Sequence, residues 1–249
     1  MNYVSSTILI LSVWAHTAYA QRDSLTAEDR PQRNVHVFNA PYSKFILPGA
    51  LITYGALTQV IHPLRQFDET INEGVHNRRI RVDDYLQYAP AAAVYGLDFA
   101  GIRAKHNFRE RTFVMASSHL LMAVSVLSVK HSAGVVRPDG SAANSFPSGH
   151  TAIAFTGAHI LFREYKDASP WIGVAGYATA TATGVMRILN RRHWLSDVAA
   201  GAGLGILCAE AGYLLLPVFR RVTGEGGPEL VIAPVLGNKT YGLGFACQF

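Results

Sequence analysis

Apolar and polar residues fall in long blocks along this chain. Six apolar stretches follow one another, at roughly 45–62, 85–102, 112–130, 150–162, 170–186 and 196–218. None keeps the period of two that marks a half-buried strand, so each predicts a helix. A helix needs about 20 apolar residues to cross a bilayer. The third and sixth stretches reach that length. The fourth is short unless its polar start, Ser145 to Thr151, continues the same helix. Small residues are frequent inside the stretches, as in Ala91-Ala92-Ala93, Ala178 to Gly184 and Ala199 to Gly205. They let helix backbones approach closely in a membrane. The expectation is an all-α membrane bundle of about five or six helices.

The two ends differ from this pattern. Residues 8–15 are a short apolar run, and Ala18-Tyr19-Ala20 matches the small-x-small pattern read before cleavage. Residues 1–20 therefore read as a signal peptide, with a polar segment over 21–44. Gly224-Glu225-Gly226-Gly227-Pro228 ends the helical pattern. The apolar run 230–236, Gly237-Asn238 and Lys239-Thr240-Tyr241 then resemble a short β-hairpin. The helical domain is expected over 45–222, with a β-like tail over 223–249.

Composition agrees with a bundle. The chain has 249 residues, 49% hydrophobic and 16% charged, against about 25% charged in a soluble domain. This excludes disorder and a coiled coil. It leaves a very apolar soluble helical protein or a membrane protein, and the recurrence of apolar runs with few internal charges favours the membrane. Two cysteines, Cys208 and Cys247, are too few for a disulfide scaffold. The net charge of +5 implies an anionic partner: nucleic acid, anionic lipid or a phosphorylated substrate.

Three polar clusters sit at the ends of the apolar stretches. Lys130 and Arg137-Pro138 follow the third; alone, Lys130 reads as a snorkelling interfacial lysine. Pro147-Ser148-Gly149-His150 opens the fourth, where Pro suits a first helical turn and the amides form a ready anion site. Alone, this is a capped helix with an incidental histidine. Arg187, His193 and Asp197 bridge the fifth and sixth. His193 and Asp197 are four apart and share a face if helical, so the carboxylate holds one ring nitrogen and leaves the other free to attack. Arg187 falls on the wrong face of a continuous helix, and Asn190 with Arg191-Arg192 suggests a turn between them. Together the clusters hold what phosphoryl transfer needs: cations for the oxygens, amides to cradle them, a nucleophile, and a second histidine for the leaving oxygen. The carboxylate cluster of a two-metal phosphatase is missing.

Lys130-x6-Arg137-Pro138, Pro147-Ser148-Gly149-His150 and Arg187-x5-His193-x3-Asp197 resemble, in order and spacing, the three signature motifs of the type 2 phosphatidic acid phosphatase (PAP2) superfamily, membrane branch. The similarity covers about residues 85–218. One departure is Met186, where the family usually has a serine before the arginine. The resemblance implies that His193 forms a phosphohistidine, Asp197 orients it, and His150 protonates the leaving alkoxide and then activates water. Lys130, Arg137, Ser148, Gly149 and Arg187 would bind the phosphate. It implies a metal-independent reaction with no cofactor, a lipid phosphate or diphosphate as substrate, and no nucleic-acid partner. The block Arg81-Val-Asp-Asp-Tyr-Leu-Gln-Tyr-Ala-Pro, with Ser145-Phe146 and Trp194-Leu195, is similar to exported PAP2 proteins of Bacteroidetes-type bacteria, some of them lipid A 4′-phosphatases. His106, His119, His131 and His159 match no motif; His159 reads as a core residue and the others as interfacial.

Basic residues predict the orientation. Arg103, Lys105, Arg109 and Arg111 precede the third stretch, Arg163 and Lys166 follow the fourth, and Arg220 and Arg221 end the sixth. The positive-inside rule puts these in the cytoplasm and the motif loops in the periplasm, with the protein in a bacterial inner membrane. An exported N-terminus would then require 45–62 not to cross fully. Pro48, Gly49 and Gly55 suggest a re-entrant or interfacial segment; the alternative is that residues 1–20 do not translocate the N-terminus. Competing functions are a soluble secreted acid phosphatase of the same superfamily, and a non-catalytic membrane scaffold or transporter. A vanadate-dependent haloperoxidase fits less well, because the chain is short and the His193–Asp197 pair suits a nucleophile.

Overall fold

The computed structural model describes residues 42–75, 81–224, 229–237 and 240–248. The expected signal peptide and most of the polar segment before residue 45 lie outside the described residues. Eight helices are present among those described: α1 (Ser43–Thr58), α2 (His62–Glu73), α3 (Asp83–Leu86), α4 (Ala89–Phe99), α5 (Phe108–Ala133), α6 (Gly149–Tyr165), α7 (Pro170–Leu189) and α8 (Leu195–Thr223). Two strands follow, β1 (Glu229–Gly237) and β2 (Thr240–Gln248), antiparallel from Gly237↔Thr240 to Glu229↔Gln248.

The number exceeds five or six because one helix forms outside the six apolar stretches and one stretch is broken. The first stretch becomes α1, and the polar residues after it form α2, which meets α1 at 93°; Pro63 stands in the first turn of α2. The second becomes α3 and α4, with Pro90 in the first turn of α4. Proline lacks a backbone N–H and fixes φ, so it suits the start of a new helix. Elsewhere the boundaries follow capping chemistry. The Asn107 side chain accepts from Glu110 N at 2.9 Å and opens α5, and Gly134 ends it in the left-handed conformation at φ 58°. The polar residues Ser145 to Ser148 do not extend α6. It begins at Gly149 with Ser148 as its cap.

α5 and α8 are long and apolar enough to cross a membrane. Leu120, Val124 and Leu127 of α5 are 66%, 57% and 65% exposed, an outward apolar stripe that belongs against lipid. α8 is the central element. Gly201 faces the Ser148 carbonyl of α6, Gly203 the Pro48 carbonyl of α1, Gly205 the Ala152 carbonyl of α6, and Gly212 the Ser118 hydroxyl of α5. A Cβ on any of the first three would stand 2.5 Å from that carbonyl oxygen. The small residues of Ala199 to Gly205 are thus places where neighbouring backbones touch α8, and Ala91 of α4 meets Gly157 of α6 in the same way. Gly201→Ala is expected to cost about 1–3 kcal/mol through overpacking, read as a lower thermal unfolding midpoint in detergent.

α1 does not turn back inside the bundle. Lys44 at its start pairs with Glu210 of α8 at 2.9 Å, and Gly55 near its end meets Ser196 and Ala200. It therefore runs antiparallel to α8 between those levels, and with the 93° bend into α2 the pair has the length and composition of a broken span or a re-entrant loop. α5 and α7 run towards the motif loops, while α6 and α8 run away from them. The basic residues used to predict orientation lie towards the other end. There Glu210 also meets Arg163 at 2.5 Å and His159 at 2.7 Å, and Glu164 meets His106 at 2.8 Å. His159 is a core residue, as expected. His106 lies in the loop before α5, and its half-buried ring is held by the fully buried Glu164 carboxylate.

Candidate active site

The three motifs meet at one end of the bundle. Lys130 stands in the last turn of α5, Arg137 in the following loop, Ser148, Gly149 and His150 at the start of α6, Arg187 in the last turn of α7, and Asp197 in the first turn of α8. His193 lies in the α7–α8 loop, so its spacing to Asp197 spans a helix start and not one continuous face. The predicted turn after Arg187 is real: α7 ends at Leu189 and Arg191 takes a left-handed φ of 53°.

Asp197 organises the centre and is fully buried. Its Oδ2 accepts from the Trp194 amide at 2.9 Å and from the Ser145 hydroxyl at 2.5 Å, and lies 3.5 Å from His193 Nδ1. Its carbonyl accepts from the Ser148 amide at 3.0 Å, which ties the second motif to the third. One carboxylate thus caps α8, fixes the loop before α6 and faces the His193 ring. With Nδ1 engaged there, Nε2 is the nitrogen left for chemistry. His193 is 2% exposed. Burial, reinforced by the positive charges of Lys130 and Arg187, outweighs the pull of Asp197 and pushes its pKa down to about 4. The imidazole is therefore neutral, the form a nucleophile needs.

Cations surround this ring. Burial and the neighbouring guanidinium groups of Arg187 and Arg192 push Arg137 below the usual range. The buried Nε atoms of Arg137 and Arg187 have no hydrogen-bond partner among the described residues. Buried donors left unpaired are costly, so a site built this way suits an anion. Lys130 Nζ donates to the Asn144 carbonyl at 2.6 Å, which places the ammonium against the loop that carries Ser145. The Ser148 side chain is turned inward to Thr151 Oγ1 at 2.9 Å. Its hydroxyl caps the helix here, and the start of α6 is what faces the cations. Among the described residues, no group of three or more His, Cys, Asp or Glu side chains is arranged to hold a metal ion.

The motif reading gave no role to four residues that the structure brings in. Ser145 donates to the Asp197 carboxylate. Asp68 of α2, 2% exposed, accepts from the Ser196 amide at 3.1 Å and so caps α8 from outside the motifs. Asp83 of α3 holds Arg187 Nη1 at 2.7 Å. Asp84 lies 3.1 Å from His150 Nε2. The paired acids Asp83-Asp84 ahead of an apolar stretch were a visible signal, but their partners lie 66 and 104 residues away.

Residues 103–221 match the PAP2 superfamily. This part of the chain is a PAP2 superfamily domain. A lipid A 1-phosphatase of Porphyromonas gingivalis is 41% identical over 188 residues, covering 69% of this chain and 42% of that protein. The chain thus spans less than half the length of this relative. Two solved structures are similar. One is the crystal structure of Aquifex aeolicus LpxE, at 25% identity and a TM-score of 0.46, covering 60% of this chain and 93% of that one. The other is the transmembrane PAP2 type phosphatidylglycerolphosphate phosphatase from Bacillus subtilis, at 20% identity and a TM-score of 0.49, covering 73% of this chain and 97% of that one.

Proposed function

We propose that this PAP2 protein is a membrane phosphatase that hydrolyses a lipid phosphate through a phosphohistidine, without a metal. The observation that carries this reading is the pairing of a neutral, buried His193, held at Nδ1 by Asp197 and Ser145, with unpaired buried donors on Arg137 and Arg187. In the first step His193 Nε2 attacks phosphorus in line, the bond from phosphorus to the lipid oxygen breaks, and His150 gives that oxygen a proton. In the second step His150 takes a proton from water as the water attacks phosphorus, which releases inorganic phosphate and restores His193. Lys130, Arg137 and Arg187 neutralise the equatorial oxygens, and the amides at the start of α6, including that of Gly149, cradle them. Side-chain cations take the role that metal ions fill in two-metal phosphatases.

The apolar outer stripe of α5 supports a substrate whose tails stay in the bilayer and disfavours a soluble secreted enzyme. An open cavity of about 540 Å³ lined by Leu127, Lys130, His131, Gly134, Ala143 and Asn144 brings that stripe beside a phosphate-binding cation. The Porphyromonas relative, named for the 1-position, supports a lipid A phosphate as substrate and shifts the reading away from the 4′-phosphate. The basic residues at the far end of the bundle support a site facing the periplasm of a bacterial inner membrane.

The test is phosphate release by the purified protein in detergent from lipid A, phosphatidate, phosphatidylglycerophosphate and undecaprenyl diphosphate. Release is expected to be fastest with lipid A, to persist in excess EDTA, and to be inhibited by vanadate. Absence of release from all four sinks the phosphatase reading; loss in EDTA sinks the metal-independent step.

A further inference from the structure

His150 does not stand alone. Its Nε2 lies 3.1 Å from Asp84 Oδ1, across 66 residues of sequence, and the same oxygen lies 3.7 Å from Arg187 Nη1. Asp84 is held in place by its neighbour. Asp83 is 1% exposed, and its carboxylate accepts from Arg187 Nη1 at 2.7 Å and from Asn190 Nδ2 at 3.4 Å. α3 is thus pinned to the end of α7 through Asp83, and this delivers the next side chain to the histidine of α6. Both acids precede residue 103, where the PAP2 match begins.

We infer that Asp84 is a positioning residue for the general acid, orienting the His150 ring and holding its proton ready for the leaving oxygen. The inference rests on the phosphohistidine reading above and extends it to a residue outside the three motifs. Burial first and the Arg187 charge second hold the His150 imidazole below the usual histidine range, and the Asp84 and Asp83 carboxylates pull the other way. Arg187 opposes a second positive charge beside it. Asp83 is committed to Arg187, so Asp84 is the carboxylate that can support an imidazolium. When His150 passes its proton to the lipid oxygen, the bond from phosphorus to that oxygen breaks and the ring is left neutral. Asp84 makes no bond to the substrate.

General-acid assistance matters when the leaving alkoxide is a strong base, and little when the leaving group is a stable anion. This separates positioning from a structural role. In purified protein, Asp84→Asn is expected to lower kcat/KM about tenfold for an alkyl phosphate and less than about twofold for p-nitrophenyl phosphate. kcat/KM is the right readout because it reports the first chemical step. Asp84→Glu restores part of the alkyl activity. Adding Asp84→Asn to His150→Ala gives no further loss, because the two act as one unit.

An equal loss with both substrates overturns the inference, as does an additive loss in the double variant. A third result overturns it in the opposite sense: Asp84→Asn raises kcat/KM and tightens inhibition by inorganic phosphate. The carboxylate would then occupy the phosphate seat and compete with substrate. Full activity of His150→Ala would instead overturn the underlying mechanism.

Discussion

Replacing His193 with alanine is expected to reduce kcat/KM for lipid phosphate release by about 10³-fold or more, because the covalent route is lost and only cation binding remains. The loss is chemical and not structural, and phosphoenzyme trapping reads it directly. In His150→Ala protein given labelled p-nitrophenyl phosphate, whose leaving anion needs no acid, the intermediate forms but its breakdown lacks a base, so labelled phosphate accumulates on the chain. The label is acid-labile and base-stable, as a phosphorus–nitrogen bond requires. The same experiment with His193→Ala added yields none, and label that survives that change removes His193 as the nucleophile. The pH dependence has a definite sign. A histidine at its usual 6.5 would be mostly protonated at pH 5. With its pKa lowered to about 4, His193 is neutral down to that pH and titrates only below it. The acidic limb set by this group therefore falls near pH 4 in the wild-type protein.

Asp197→Asn is expected to cost about 10²–10⁴-fold in kcat, with little change in fold, because a buried carboxylate that orients a catalytic imidazole supplies both tautomer and charge. The geometry says why the fold survives. The Trp194 amide and the Ser145 hydroxyl both donate to Oδ2, and an asparagine carbonyl oxygen can accept from both. The amide NH₂ then takes the place of Oδ1, which is buried and has no hydrogen-bond partner among the described residues. What disappears is the negative charge beside a ring that becomes positive as it is phosphorylated. A thermal midpoint close to wild type with kcat collapsed supports this division. A collapsed midpoint, or near-normal kcat, contradicts it.

How much of this site was readable follows from sequence distance. Ser148, Gly149 and His150 are contiguous, and Arg187, His193 and Asp197 fall within eleven residues, so their grouping was visible in the chain. The start of α6 was visible to within two residues, because Pro147 and Ser148 carry their own backbone preferences; Pro147 stands ahead of the cap and not in the first turn. The bend at 59–61 was less so, since the first apolar stretch ends at residue 62 and the polar residues beyond it gave no sign of α2. The bend depends on where α2 is anchored, and that is set by Asp68 reaching Ser196 across 128 residues. Asp83, Asp84 and Ser145 were in plain view but had no assigned role. A carboxylate declares its role only when its partner is known.

The sequence by itself determined the helical class, from apolar blocks without a period of two, and displayed at the helix ends the three cations, two histidines and aspartate on which the proposed chemistry rests. Local preference and residue type decide those features, and both are written residue by residue. The tertiary structure alone decided that α1 lies antiparallel to α8 between the levels of Glu210 and Ser196, that Asp197 serves cap, loop and imidazole at once, and that α3 delivers Asp84 to His150. Those are contacts between residues far apart in the chain. They depend on which helix backbones can touch, and the α8 glycines control that through their neighbours.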